Sequence, residues 1–166
     1  MNKLVAATAV AALSLCLSAC GGQEDEAKTS MSESFQKQDL GGIKVDDEQA
    51  DCMAGDIVDG VGVDKLKEYD ILDEDGKVNE QIENSELEEE DADTVSAALV
   101  DCIGAETIVE EQVIQEQMTQ PQQDCVKEAM TEDKLKELIS VGFQGADQTD
   151  EAVQQLQEDM TACMKK

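Results

Sequence analysis

From Gln49 to the C-terminus apolar residues return every three or four positions, and this period constrains the fold more than any other feature of the chain. Met53, Ile57, Val58 and Val61 form one stripe, and Val95, Ala98, Leu99, Cys102 and Ile103 form another. Leu135, Leu138, Ile139 and Phe143 make a third, and Val153, Leu156, Met160 and Met164 a fourth. Such spacing lines up side chains on one face of a 3.6-residue helix. No segment alternates convincingly as a strand would, so an all-α domain is expected. Ile108, Val109, Val113 and Ile114 predict a further helix before Pro121, a residue suited to a first helical turn, where its missing N–H costs nothing. Cys52 fits its stripe poorly, pointing away from Met53, Ile57 and Val61 on an ideal helix.

These helices have little bulk to pack with. The chain has no Trp, one Tyr and two Phe, whereas aromatic side chains usually supply much of a core's buried area. A core of Ala, Val, Ile, Leu and Met would be thin, and it must hold against the mutual repulsion of 40 carboxylates. Covalent help is therefore expected from cysteine.

The N-terminus says which cysteines are available. Behind Lys3 runs an apolar stretch from Leu4 to Leu17, closed by Leu17-Ser18-Ala19-Cys20. A charged start, a short apolar core and small residues before the cut mark a secretory signal, and this ending resembles the lipobox of bacterial lipoproteins. The stretch is shorter than the roughly 20 apolar residues that span a bilayer. The resemblance implies cleavage after residue 19 and a lipid on Cys20, which anchors the chain to the membrane on its extracytoplasmic side. In a cell with two membranes, Gly21 after Cys20 resembles a residue that permits sorting to the outer membrane. Cys16 would leave with the signal, so Cys52, Cys102, Cys125 and Cys163 remain. An even number of thiols in an exported chain reads as a disulfide framework. Spacing alone leaves three pairings open.

An internal repeat bears on the choice. Asp51-Cys52 is followed by Asp64-Lys65-Leu66-Lys67-Glu68, and Asp124-Cys125 by the identical string Asp133-Lys134-Leu135-Lys136-Glu137. Each copy ends in an amphipathic helix with a cysteine near its C-terminal end, at Cys102 and Cys163. The order predicts a duplication, with halves at about 47–104 and 121–166 joined by a helix at about 105–119. Duplicates would each close their own bridge, Cys52 to Cys102 and Cys125 to Cys163. Loops of this length contribute about 4 kcal/mol each in the chain-entropy model. Residues 20–46, polar and rich in Ser, Gln, Glu and Gly with scattered Met31, Phe35 and Leu40, read as an acidic flexible tether. Its reach would be roughly 25–30 Å, enough to hold a domain of residues 47–166 off the membrane surface. The lipobox, tether and two cysteine-bounded helical units together resemble small helical lipoproteins and exported proteins of unknown function found in actinobacteria. Their usual arginine-rich composition is not matched here. The resemblance implies a location and a fold, and transfers no activity.

Composition narrows the chemistry. Loss of Lys3 leaves 11 lysines against 40 carboxylates, a net charge of −29 on the mature chain. Such a surface repels nucleic acid and anionic headgroups. Every basic residue is lysine, so no bidentate arginine fork is present to grip phosphate. There is no histidine, the commonest general base near neutral pH. Nor does the mature chain hold a Cys-x-x-Cys redox pair. A non-enzymatic role is expected, with a partner in the cell envelope and without a required cofactor. The alternative is cation binding. Asp73-Glu74-Asp75-Gly76-Lys77-Val78-Asn79 resembles the middle of an EF-hand or dockerin calcium loop, with Asp73, Asp75 and Asn79 as ligands. Ile71 and Ile82 stand where that loop needs its first carboxylate and its bidentate ligand. Glu86 to Asp93 reads as an acidic run ahead of a helix over Thr94–Ile103, favourable to the helix dipole, with Asp93 or Thr94 as its cap.

Overall fold

A computed structural model of the protein describes residues 19–38, 40, 42–79, 86–115, 117–145 and 150–166. All but the last residue of the expected signal, 1–19, lies outside them. The described residues form eight α-helices: α1 Ala19–Lys37, α2 Asp47–Val61, α3 Val63–Glu68, α4 Glu89–Ile103, α5 Ala105–Ile108, α6 Gln120–Ala129, α7 Glu132–Phe143 and α8 Glu151–Cys163. One π-helical turn, Val109–Val113, continues α5. The domain is all-α, and its only β features among the described residues are isolated bridges, Leu40 with Ile43 and Leu72 with Val78.

The flexible tether is the largest correction. Over half of it is helix α1, which lies against α2. Ala27, Met31 and Phe35 recur four residues apart and form a stripe one side chain wide; Ala27 and Met31 are buried, and Phe35 is half-buried. Ser32 is buried beside them and donates to Asp51 Oδ1 of α2 at 2.6 Å. A stripe this narrow is lost in a polar average, because Ala27 carries little hydropathy yet is what permits close helix approach.

Local chemistry sets the helix ends. Asp46 caps α2 through a capping box with Gln49, and Thr119 does the same for α6 with Gln122, placing Pro121 in the first turn as expected. Gly62 and Gly104 have φ of +88° and +94°, and each closes one helix while opening the next. Such backbone is open to glycine at little cost. Helix α4 begins at Glu89, five residues before the expected Thr94, with Glu88 as N-cap. Much of the acidic run is thus inside the helix, and Thr94 donates back to the Glu90 carbonyl instead of capping. Where a helix over about 105–119 is expected, helical backbone ends at Val113. Its last turn widens, with Ile114 N–H reaching the Val109 carbonyl five residues back at 3.0 Å.

Two apolar clusters make the core, and α4 runs through both. It sends Ala92, Val95 and Ala98 into the cluster built with α1, α2 and α3. Its C-terminal half sends Val100 and Ile103 into the cluster built with α5, α6, α7 and α8. Burying each such valine or isoleucine side chain stabilises by about 1.5–3 kcal/mol. Two disulfides close the framework, Cys52–Cys102 between α2 and α4 and Cys125–Cys163 between α6 and α8, with Cα–Cα distances of 5.8 and 5.4 Å. These are the pairings the repeat predicts. The poor fit of Cys52 to its stripe has a plain reason: its bridge is exposed, on the outside of α2.

Candidate functional site

Cys20 stands in the first turn of α1, and the remainder of the lipobox, Leu17 and Ser18, lies outside the described residues. Among the described residues no helix is long and apolar enough to cross a membrane.

The Asp73–Asn79 turn is held by its own backbone. Asp73 Oδ1 accepts the amides of Asp75 at 2.9 Å and Lys77 at 2.8 Å. Asn79 donates its side-chain amide to the Asp70 carbonyl at 2.7 Å. The turn is docked on α1, where Val78 N–H donates to Ser30 Oγ at 3.0 Å. Asp73 and Asp75 are not gathered with a third acidic or thiol ligand. The one such trio among the described residues is Cys52, Asp56 and Cys102, and both of its sulfurs are spent in a disulfide.

Asp91 is the only charged side chain buried among the described residues. Lys65 Nζ donates to its Oδ2 at 2.7 Å and the Tyr69 hydroxyl at 2.6 Å, while Tyr69 accepts Glu88 N–H at 3.2 Å. Burial pushes the Asp91 carboxyl up, but the hydrogen bonds from Lys65 and Tyr69 outweigh it and hold the group below its usual range. Tyr69 is raised by donating to that same carboxylate. Every hydrogen bond here joins the start of α4 to α3 and its following turn, so the network orients helices.

Elsewhere charge stays outside. Lys28 pairs with Asp59 at 2.5 Å, Lys134 with Asp159 at 2.7 Å, Lys136 with Asp101 at 2.7 Å, and Lys127 with Glu110. Hydrogen bonds from Lys136 to Asp101 and Glu132 hold its ammonium well above the usual lysine range. With lysines drawn into such pairs, the carboxylate excess is left as the outer coat.

A cavity of about 260 Å³ opens where the two apolar clusters meet. Its lining includes Met31 and Phe35 of α1, Ile57 of α2 and Leu66 of α3. Val95 and Leu99 of α4 and Phe143 of α7 also line it. Both phenylalanines of the chain therefore face this one space. No ionisable side chain is on its wall, and Gln38 is the one polar residue there. Small residues explain the void. Ala27, Ala54, Ala92 and Ala98 bring α1, α2 and α4 together nearby, and between those close approaches no aromatic bulk fills the joint. The groove between α7 and α8 differs, being about 200 Å³ and walled by Lys134, Glu137, Glu151 and Asp159. Sequence reasoning missed the cavity because it treated Met31 and Phe35 as parts of a tether; their four-residue spacing with Ala27 was the available signal.

No known protein-family model matches the chain, and no curated protein or solved structure is detectably similar to it.

Proposed function

We propose that the protein is a non-enzymatic, lipid-anchored component of the cell envelope whose acidic helical body binds a partner there. The observation that carries this reading is the partition of charge. One carboxylate among the described residues is buried, and the others coat a body closed by two disulfides. A rigid, disulfide-closed body with a single-sign surface suits steering and positioning of a partner of opposite charge. The absence of histidine from the whole chain supports the non-enzymatic part.

Helix α1 changes the geometry expected of the anchor. Since α1 spans Ala19–Lys37, a lipid on Cys20 would attach to the first turn of a helix, which leaves no long flexible spacer between membrane and body. The partner is then sought within or beside the membrane plane. No specific observation favours calcium: Asp73 Oδ1 accepts two backbone amides, and Asp73 and Asp75 are not gathered with a third acidic or thiol ligand. Crosslinking in intact native cells, followed by purification and mass spectrometry, tests the reading. Enrichment of one envelope protein, lost when surface carboxylates are neutralised, supports it; recovery of the protein alone overturns it. Cys20→Ser should release the chain from the membrane fraction or leave an unprocessed precursor. Unchanged mass and fractionation would remove the lipid anchor.

A further inference from the structure

We infer that the cavity between α1, α2, α3, α4 and α7 is a binding site for a small, uncharged, largely hydrocarbon molecule. This goes beyond the envelope role and does not depend on it. Size comes first. An engineered apolar cavity of about 150 Å³ stays dry and takes up benzene, so about 260 Å³ scales to a ligand of roughly ten carbon atoms. Chemistry comes second. In a chain where 40 of 166 residues are carboxylic acids, none reaches this wall. The wall is instead aliphatic and thioether, with the chain's two phenylalanines, Phe35 and Phe143, added to it. Apolar pockets with one or a few placed polar groups are the usual form of small-molecule sites.

Charge selects among hydrocarbon ligands. The protein's field is strongly negative, so an anionic amphiphile such as a fatty-acid carboxylate is repelled on approach and finds no cation on the wall. A neutral alcohol meets neither penalty: Gln38 Nε2 donates to Ser34 Oγ at 2.7 Å, and its amide oxygen can accept the alcohol's hydroxyl. Filling an apolar void with matching atoms restores dispersion contacts that its lining lacks.

The test uses the full chain with both disulfides closed and Cys20→Ser, so that no attached acyl chain competes, with methionine methyl groups labelled for NMR. The probe is 1-decanol, and sodium decanoate is the charged control. Met31 lines the cavity, whereas Met164, near the C-terminus, is exposed and does not line it. The expected result is a saturable shift of the Met31 methyl with decanol, no shift at Met164, and decanoate at least tenfold weaker. Leu99→Phe fills the space and should weaken decanol at least tenfold. Should that variant fail to fold, Val95→Ile makes a one-methylene change on the same wall and should weaken binding severalfold. Three results would each overturn the inference: no saturable shift at Met31, equal shifts at Met31 and Met164, or decanoate binding as tightly as decanol.

Discussion

Residues 47–104 and 120–163 are assembled from the same parts and hold together in different ways. Each has a cysteine helix, a helix carrying the Asp-Lys-Leu-Lys-Glu string, and a second cysteine helix bridged back to the first. In each string the leucine is buried, Leu66 and Leu135, and the first lysine reaches an aspartate on the third helix at 2.7 Å, Asp91 or Asp159. There the likeness stops. In the first unit Ala54, Ile57, Val58 and Val61 of α2 enter the first cluster with Leu72 and Leu87 from the connecting segment, and the bridge, from exposed Cys52 to half-buried Cys102, lies outside that cluster. In the second unit α6 buries only Val126 and α8 only Cys163. Its bridge is part of the core. The second unit also depends on the first, because α7 leans on α4 through Lys136 with Asp101 and Ser140 with Asp93. A covalent link thus does most where apolar area is least.

Removing the second bridge is the strongest way to break this comparison. Cys125→Ala with Cys163→Ala should cost about 4–5 kcal/mol, and hydrogen exchange should show α6 and α8 opening while α2 and α4 remain protected. Uniform loss of protection would show that the two units are one cooperative body. Cys52→Ala with Cys102→Ala should cost somewhat less, about 2–4 kcal/mol, despite the longer loop of 50 residues against 38. Denaturant midpoints at matched slope decide the order, and a larger loss from the exposed bridge would reverse the argument.

The leucines give a finer contrast. Leu66→Ala, at the more deeply buried of the two positions, should cost about 3 kcal/mol and Leu135→Ala about 2. Equal losses by thermal unfolding would mean that the second core is as tightly packed as the first. The smallest expected effect is electrostatic. Asp91 and Asp159 are both held below their usual pKa in the folded protein, so each contributes stability that is present above the unfolded value of about 3.9 and lost as pH falls through the folded one. Asp91→Asn should flatten the loss of stability below about pH 4. Asp159→Asn should change that limb little, since Asp159 is only partly covered and its pair is screened by solvent. Matching acid limbs for the two variants would remove the distinction between a buried and a surface pair.

The structure also shows why some of the molecule could be read in advance and some could not. The stripes at Met53–Val61, Val95–Ile103 and Leu135–Phe143 are local, and each became a helix because a face of three or four apolar residues per two turns can be buried in only one way. Both cysteine pairings followed from the repeated order. The start of α4 was misjudged because Asp91 is acidic, yet Lys65 and Tyr69 make its burial tolerable, and those partners are over 20 positions away. Helix α1 was misjudged because its stripe is too narrow to hold a helix unaided.

By itself, then, the sequence determined the helical period of the C-terminal two thirds, the acidic exterior and the inventory of thiols, since these depend on residue type and near-neighbour spacing. Only the tertiary structure decided that residues 19–37 are helix and that two cores share α4. The same holds for the cavity lined by Phe35 and Phe143. Each of these rests on surfaces meeting across the fold, where a single alanine or a missing aromatic ring sets how closely two helices approach.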